Sequence, residues 1–137
     1  MLAYKLLKKN DAKLSQEAFL DYQILSDEVN KLLNFNYQEI AKKIAKHHDV
    51  FFIGRLIDYY LALEGSLKLK EISYIHSETY AAGELKHGTI SLIEEGTPVI
   101  SILTDITIYE KTISNIKETK ARGSYSLVIA RDNLNIN

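Results

Sequence analysis

Apolar positions along this chain change their spacing from stretch to stretch, and the changes predict its elements. "MLAYKLLKK" has helical spacing at Leu2, Leu6 and Leu7 and is broken by "NDAK". After Ser15 and Glu17, the residues Phe19, Tyr22, Leu25, Val29, Leu32 and Leu33 recur near a 3.6 period, which predicts an amphipathic helix. In "NYQEIAKKIAKHH", Asn36 is placed to cap a helix, with Glu39 three residues later and Ile40 and Ile44 on its buried face. "VFFIG" at 50–54 is a continuous apolar run ended by glycine, as in a parallel strand buried on both faces. A helix follows over 58–75. "PVISILT" at 98–104 predicts a second buried strand, with Pro98 at the first position, where the missing N–H is tolerated. "IYEKTISNIKETKARG" predicts another amphipathic helix stopped at Gly123, and "SLVIAR" a third strand.

The order β-α-β-α-β implies a parallel sheet of about three strands inside a three-layer α/β/α fold with right-handed crossovers. Such a sheet is small, and its outer strands need cover. The pattern reads as a chain cut at both ends, with a helix remnant in front and a sheet lacking its later strands behind. Residues 1–34 form the preceding helical segment, and 35–137 the sheet domain.

Charge narrows the function. Lysine and arginine number 17 against 18 acidic residues, a net charge of −1. That balance disfavours a nucleic-acid binder and supplies no polybasic membrane anchor. The absence of cysteine removes disulfides, thiolate nucleophiles and Cys-type zinc sites. There is no signal-type apolar segment at the start and no run near the roughly 20 residues of a membrane helix. The expectation is a cytoplasmic protein with neither membrane nor nucleic-acid partners.

Acid/base residues concentrate in 61–88. Glu64, Lys68, Glu71, His76, Glu78, Glu84, Lys86 and His87 fall within 24 residues. On a helix, Glu64, Lys68 and Glu71 share one face, with Leu63 and Leu67 turned to the sheet. Two readings are open. The three charges are ordinary surface pairs, or their face meets a ligand beyond the strand ends, where Lys68 keeps Glu71 ionised and Glu71 moves a proton. "HSETYAAGELKHG" then reads as part of a long connection to the next strand, with Ala81, Ala82, Gly83 and Gly88 allowing close packing. His87, like His76, is either a surface or capping residue or a group that titrates near neutral pH. His47 and His48 lack a third ligand at useful spacing, so no metal is expected.

"ALEGSLKLKEISYIHSETYAAGELKHG" resembles the isomerase region of the glucosamine-6-phosphate synthase family, the isomerising glutamine–fructose-6-phosphate aminotransferases. It is most similar to the second of that family's two sugar-isomerase (SIS) domains. The likeness is nearly unbroken over 63–93 and weaker across 15–131. It implies an SIS-type α/β/α fold. It implies that Glu71 moves the proton between C2 and C1 of the sugar and that Lys68 is held beside it. It implies that His87 assists ring opening in a neighbouring subunit's site across a dimer interface. Glu64 and Arg55 are the expected substrate-binding residues. No cofactor is implied.

The family's whole reaction turns fructose 6-phosphate and glutamine into glucosamine 6-phosphate and glutamate. Its glutaminase step uses a cysteine that this chain lacks, and its phosphate grip is a Ser/Thr-rich loop with no counterpart here. The chain also ends before the family's imine-forming lysine, so the expectation is that it is inactive alone. Leu56 and Tyr60 stand where the family usually has Gly and Pro, and Thr89 where it has Pro. The alternative is a non-catalytic SIS module that binds a phosphosugar or serves dimerisation. On either reading a homodimer is expected, through helix 58–75 and loop 80–88 with its small "AAG".

Overall fold

The computed structural model describes residues 12–131 and 134. The chain divides into two compact units, Met1–Glu39 and Ile40–Asn137. The predicted helix at "MLAYKLLKK" lies outside the described residues. Within the first unit, α1 spans Ala12–Leu33. Its apolar stripe is exposed, from Phe19 through Tyr22, Leu25 and Val29 to Leu33. Helix α2, Gln38–Ile44, starts as expected, with the Gln38 N–H donating to Asn36 Oδ1 at 3.0 Å.

Four parallel strands form the sheet: β1 (Asp49–Gly54), β2 (His76–Ala81), β3 (Pro98–Leu103) and β4 (Tyr125–Ala130), in the order β2-β1-β3-β4. The expectation of three strands is therefore corrected to four. The additional strand, "HSETYA", lies in the stretch that the sequence pattern assigns to a long connection, and it carries no apolar run. It lies at the edge and pairs residue for residue with β1, from Asp49 opposite His76 to Gly54 opposite Ala81. Main-chain hydrogen bonds to β1 hold it, so it needs no apolar run. Only Ser77 in it is fully buried.

Alternation along β1 and β3 feeds two cores. Val50, Phe52, Ile100 and Ile102 face α3 (Ile57–Ser73) and pack with Ala62. Phe51, Ile53, Val99 and Leu103 point to the other face, where Ile116 of α4 (Tyr109–Ala121) joins Ala82, Leu85 and Ile93 of the β2–β3 connection. Each buried Val, Ile, Leu or Phe among them contributes about 1.5–3 kcal/mol by leaving water.

Helix α3 meets the sheet through small residues. Ala62 and Ser66 are buried, Ser66 Oγ and Ser77 Oγ lie 2.8 Å apart, and a side chain at Gly65 would press on the Phe52 ring at 3.1 Å. Leu63 and Leu67, expected to face the sheet, are instead 41% and 44% exposed. Ala62, Ser66 and Leu69 occupy the inward stripe, and a stripe of small residues brings the helix closer to the strands than leucines would allow.

Candidate functional site

Strand order reverses between β1 and β3. From β1 the chain crosses through α3 to β2 on one side, and from β3 through α4 to β4 on the other. Parallel α/β sheets open a crevice at such a switch, beyond the strand C-termini. Here Asp58 fills it. Its carboxylate, fully buried in the first turn of α3, accepts from the Thr104 N–H at 2.9 Å, the Asp105 N–H at 3.3 Å and the Thr104 hydroxyl. The helix N-terminus favours the negative charge. Gly54 is required beside it, because a Cβ there would sit 2.4 Å from the Asp58 carbonyl oxygen.

Arg55 leaves the end of β1 and turns toward α4. Its Nε and Nη2 both donate to Asn115 Oδ1, at 3.1 and 3.0 Å, and its guanidinium lies against Gly83. Leu56, the next residue, has φ 51° and ψ −121°, a conformation natural to glycine.

Glu64, Lys68 and Glu71 come together on the exposed face of α3. Lys68 Nζ lies 2.7 Å from Glu71 Oε2 and 3.7 Å from Glu64 Oε1. The hydrogen bond to Glu71 and then that carboxylate's charge raise the Lys68 pKa above the ordinary lysine value, with Glu64 adding to the effect. Tyr60, Leu63 and Leu67 lie on the same exposed side of the helix.

The cluster does not sit beyond the strand C-termini, where the ligand-facing reading of this helix face needs it. Helix α3 runs back along the sheet, and Glu71 lies about 21 Å along its axis from Ile57, near the start of β2. His87 lies at the other end of the sheet and on its α4 face, past the C-terminus of β2, in a short 3-10 turn Leu85–His87. Its nearest charged partner is Glu84, at 3.9 Å, and its side chain is 74% exposed. Within one chain, therefore, the fold gathers Glu64, Lys68 and Glu71 but separates them from His87 and from Arg55.

A cavity of about 520 Å³ opens at the N-terminal end of the sheet, lined among others by His47, His48, His76, Glu78 and Glu94. It contains none of the five expected site residues. His76 Nδ1 lies 2.7 Å from Asp49 Oδ1, linking the first residues of β2 and β1. Among the described residues no group of three or more potential ligands is arranged for a metal, and no helix is long and apolar enough to cross a membrane.

Sequence reasoning missed Asp58, Asn115 and Glu118. A signal existed: polar residues on the inward stripes, Asp58 and Ser66 in α3 and Thr112, Asn115 and Thr119 in α4.

The SIS domain family model matches residues 43–136, which takes in the whole sheet and both crossover helices. The chain belongs to the SIS domain family. Over 119 residues it is 53% identical to the glutamine–fructose-6-phosphate aminotransferase (isomerising) of Caldanaerobacter subterraneus, covering 84% of this chain and 19% of that protein. Against the enzyme of the same name from Clostridium tetani, identity is 53% over 128 residues, or 90% of this chain and 20% of the relative. The C-terminal domain of glucosamine-fructose-6-phosphate aminotransferase from Francisella tularensis superposes with a TM-score of 0.65 at 36% identity, over 72% of this chain and 29% of that one. This SIS domain thus spans about a fifth of the length of the curated relatives it matches. The homology carries the α/β assignment and the resemblance read from residues 63–93.

Proposed function

We propose that this SIS domain is the isomerase portion of an amino-sugar-forming aminotransferase acting on fructose 6-phosphate. The observation that carries the reading is the exposed Glu64–Lys68–Glu71 cluster, lying inside the segment most like the aminotransferases. Aldose–ketose isomerisation needs a carboxylate beside the carbon acid to move a proton between C2 and C1. Glu71 is the group proposed for that transfer, with Lys68 Nζ held against its carboxylate at 2.7 Å. Glu64 is proposed to contact the sugar beside Glu71; Arg55, expected from the sequence as a second substrate contact, is held on Asn115 away from that cluster in the same chain.

His87 is proposed to assist ring opening in the site of a second copy. Its distance along the fold from Glu71 in the same chain favours delivery across a twofold interface, which gives each site one histidine from its neighbour. The exposed ridge Tyr60, Leu63 and Leu67 on α3 is the surface proposed for that homodimer. The proposed substrate is a cytoplasmic metabolite, so the cytoplasm is the proposed compartment. The chain has no cysteine, so it supplies no thiolate for releasing ammonia from glutamine.

A chimera tests the reading. Residues 15–131 of this chain replace the matching segment of the Clostridium tetani enzyme. The chimera is expected to form glucosamine 6-phosphate, and Glu71→Gln in it to stop sugar isomerisation while leaving glutamine hydrolysis in place. A folded but inactive chimera, or a fully active Glu71→Gln chimera, would overturn the assignment.

A further inference from the structure

We propose that Asn115 and Glu118 of α4 are positioning residues that set the turn carrying His87. The proposal deepens the reading of His87 given above and rests on it for its functional meaning. Besides the packing of Ile116 on Ala82 and Leu85, two polar contacts tie α4 to the segment after β2. At one end, Asn115, itself buried, accepts both hydrogen bonds of the Arg55 guanidinium, which lies against Gly83 so closely that a Cβ there would come within 2.9 Å of Nη2. At the other, Lys86 Nζ lies 2.8 Å from Glu118 Oε1, immediately before His87 in the chain.

The two contacts belong to one network. Asn115 Nδ2 faces Glu118 Oε2 at 3.5 Å, and the Ser114 hydroxyl faces Oε1 at 3.4 Å. Glu118 is three-quarters buried at its side chain, whereas Lys86 is mostly exposed, so the helix offers the fixed member and the turn the mobile one. The hydrogen bond from Lys86 holds the Glu118 carboxyl below the usual glutamate range, with Asn115 and Ser114 acting in the same direction.

The core alone leaves this turn underdetermined. Leu85 is fully buried and pins its middle, but Glu84, Lys86, His87 and Gly88 are exposed. One buried side chain fixes a point and leaves rotation about it free. Clamps on either side, at Gly83 and at Lys86, remove that rotation. The direction in which His87 leaves the surface is then set by α4, an element that carries none of the proposed acid/base groups.

Amide hydrogen exchange on the full chain, without sugar, tests this. The His87 N–H donates to the Glu84 carbonyl at 3.0 Å and reports whether the turn is closed. In Glu118→Gln its exchange is expected to quicken about two- to fivefold, the range that loss of a partly exposed ion pair gives. The His87 ring resonances are expected to shift, and the amides of Phe51–Ile53 to exchange at their wild-type rates. Reversing the pair, Lys86→Glu with Glu118→Lys, is expected to restore slow exchange. Wild-type exchange and ring resonances in Glu118→Gln would overturn the proposal. So would an equal acceleration at Phe51–Ile53, which marks general destabilisation. Because no sugar is present, this result is independent of the chimera that decides the isomerase reading.

Discussion

The Asp58 carboxylate accepts the Thr104 backbone N–H at 2.9 Å across 46 residues of sequence, closing the crevice where the strand order reverses. One side chain there satisfies the first main-chain donors after β3 and sits at the positive end of α3.

Removing that carboxylate should be costly. Asp58→Ala leaves the Thr104 and Asp105 N–H groups without this acceptor, a loss of about 2–3 kcal/mol by the cost of unsatisfied buried donors. Asp58→Asn keeps one acceptor oxygen and should lose less. Urea unfolding midpoints of the two variants check the order. Equal stability of Asp58→Ala and wild type would show that the carboxylate carries no such role.

Leu56→Gly should stabilise the chain. Leu56 holds φ 51° at 64% exposure, so glycine relieves backbone strain while giving up little buried surface. Strain of this kind costs about 1–3 kcal/mol and glycine's extra unfolded-state freedom takes back roughly 0.5–1, leaving a net gain near 1 kcal/mol. Thermal melting reads the sign directly, and a lower midpoint for Leu56→Gly would refute the argument.

Tyr80 should ionise late. Its hydroxyl donates to the Glu78 carboxylate, and that hydrogen bond, with burial second, pushes its pKa from 10.0 up to about 12. A raised pKa means that the interaction's stability is fully present below about pH 10 and is lost as pH rises through 12. Glu78→Gln should bring the titration back toward the ordinary tyrosine range. Ultraviolet titration, with Tyr80→Phe to identify the signal among nine tyrosines, measures it. An unchanged titration in Glu78→Gln would remove Glu78 as the cause.

Oligomer variants should separate surface from core. Ala82 was an attractive interface residue in the sequence, but it is fully buried among Phe51, Leu85 and Val99, so Ala82→Arg should unfold the chain rather than dissociate a dimer. On the proposed interface, Leu63→Lys with Leu67→Lys should shift sedimentation toward monomer with the fold intact by circular dichroism. A wild type that sediments as a monomer at tens of micromolar would defeat the homodimer.

Much of the fold was legible because burial writes itself into the sequence. "VFFIG" and "PVISIL" are apolar on both faces and gave central strands, and Gly123, at φ +87°, stopped α4 where expected. The edge strand was not legible. "HSETYA" has no apolar run, and its strand character comes from pairing with β1. For the candidate site, the helical spacing of Glu64, Lys68 and Glu71 foretold their contact. Nothing local foretold which end of the sheet they would occupy.

By itself the sequence determined the α/β class, the membership that residues 63–93 announce, and the charged face of α3, because these rest on periodicity and on local spacing. Only the tertiary structure decided that Ala82 is core, that Leu56 adopts a glycine-like conformation, and that α3 carries Glu71 away from His87. The physical reason is that each depends on how a strand, a turn or a helix is held by partners distant in the chain. A parallel crossover sends its helix back along the sheet, and the chain after β2 crosses to the α4 face, so residues 16 apart in sequence, Glu71 and His87, end at opposite ends and on opposite faces of the sheet.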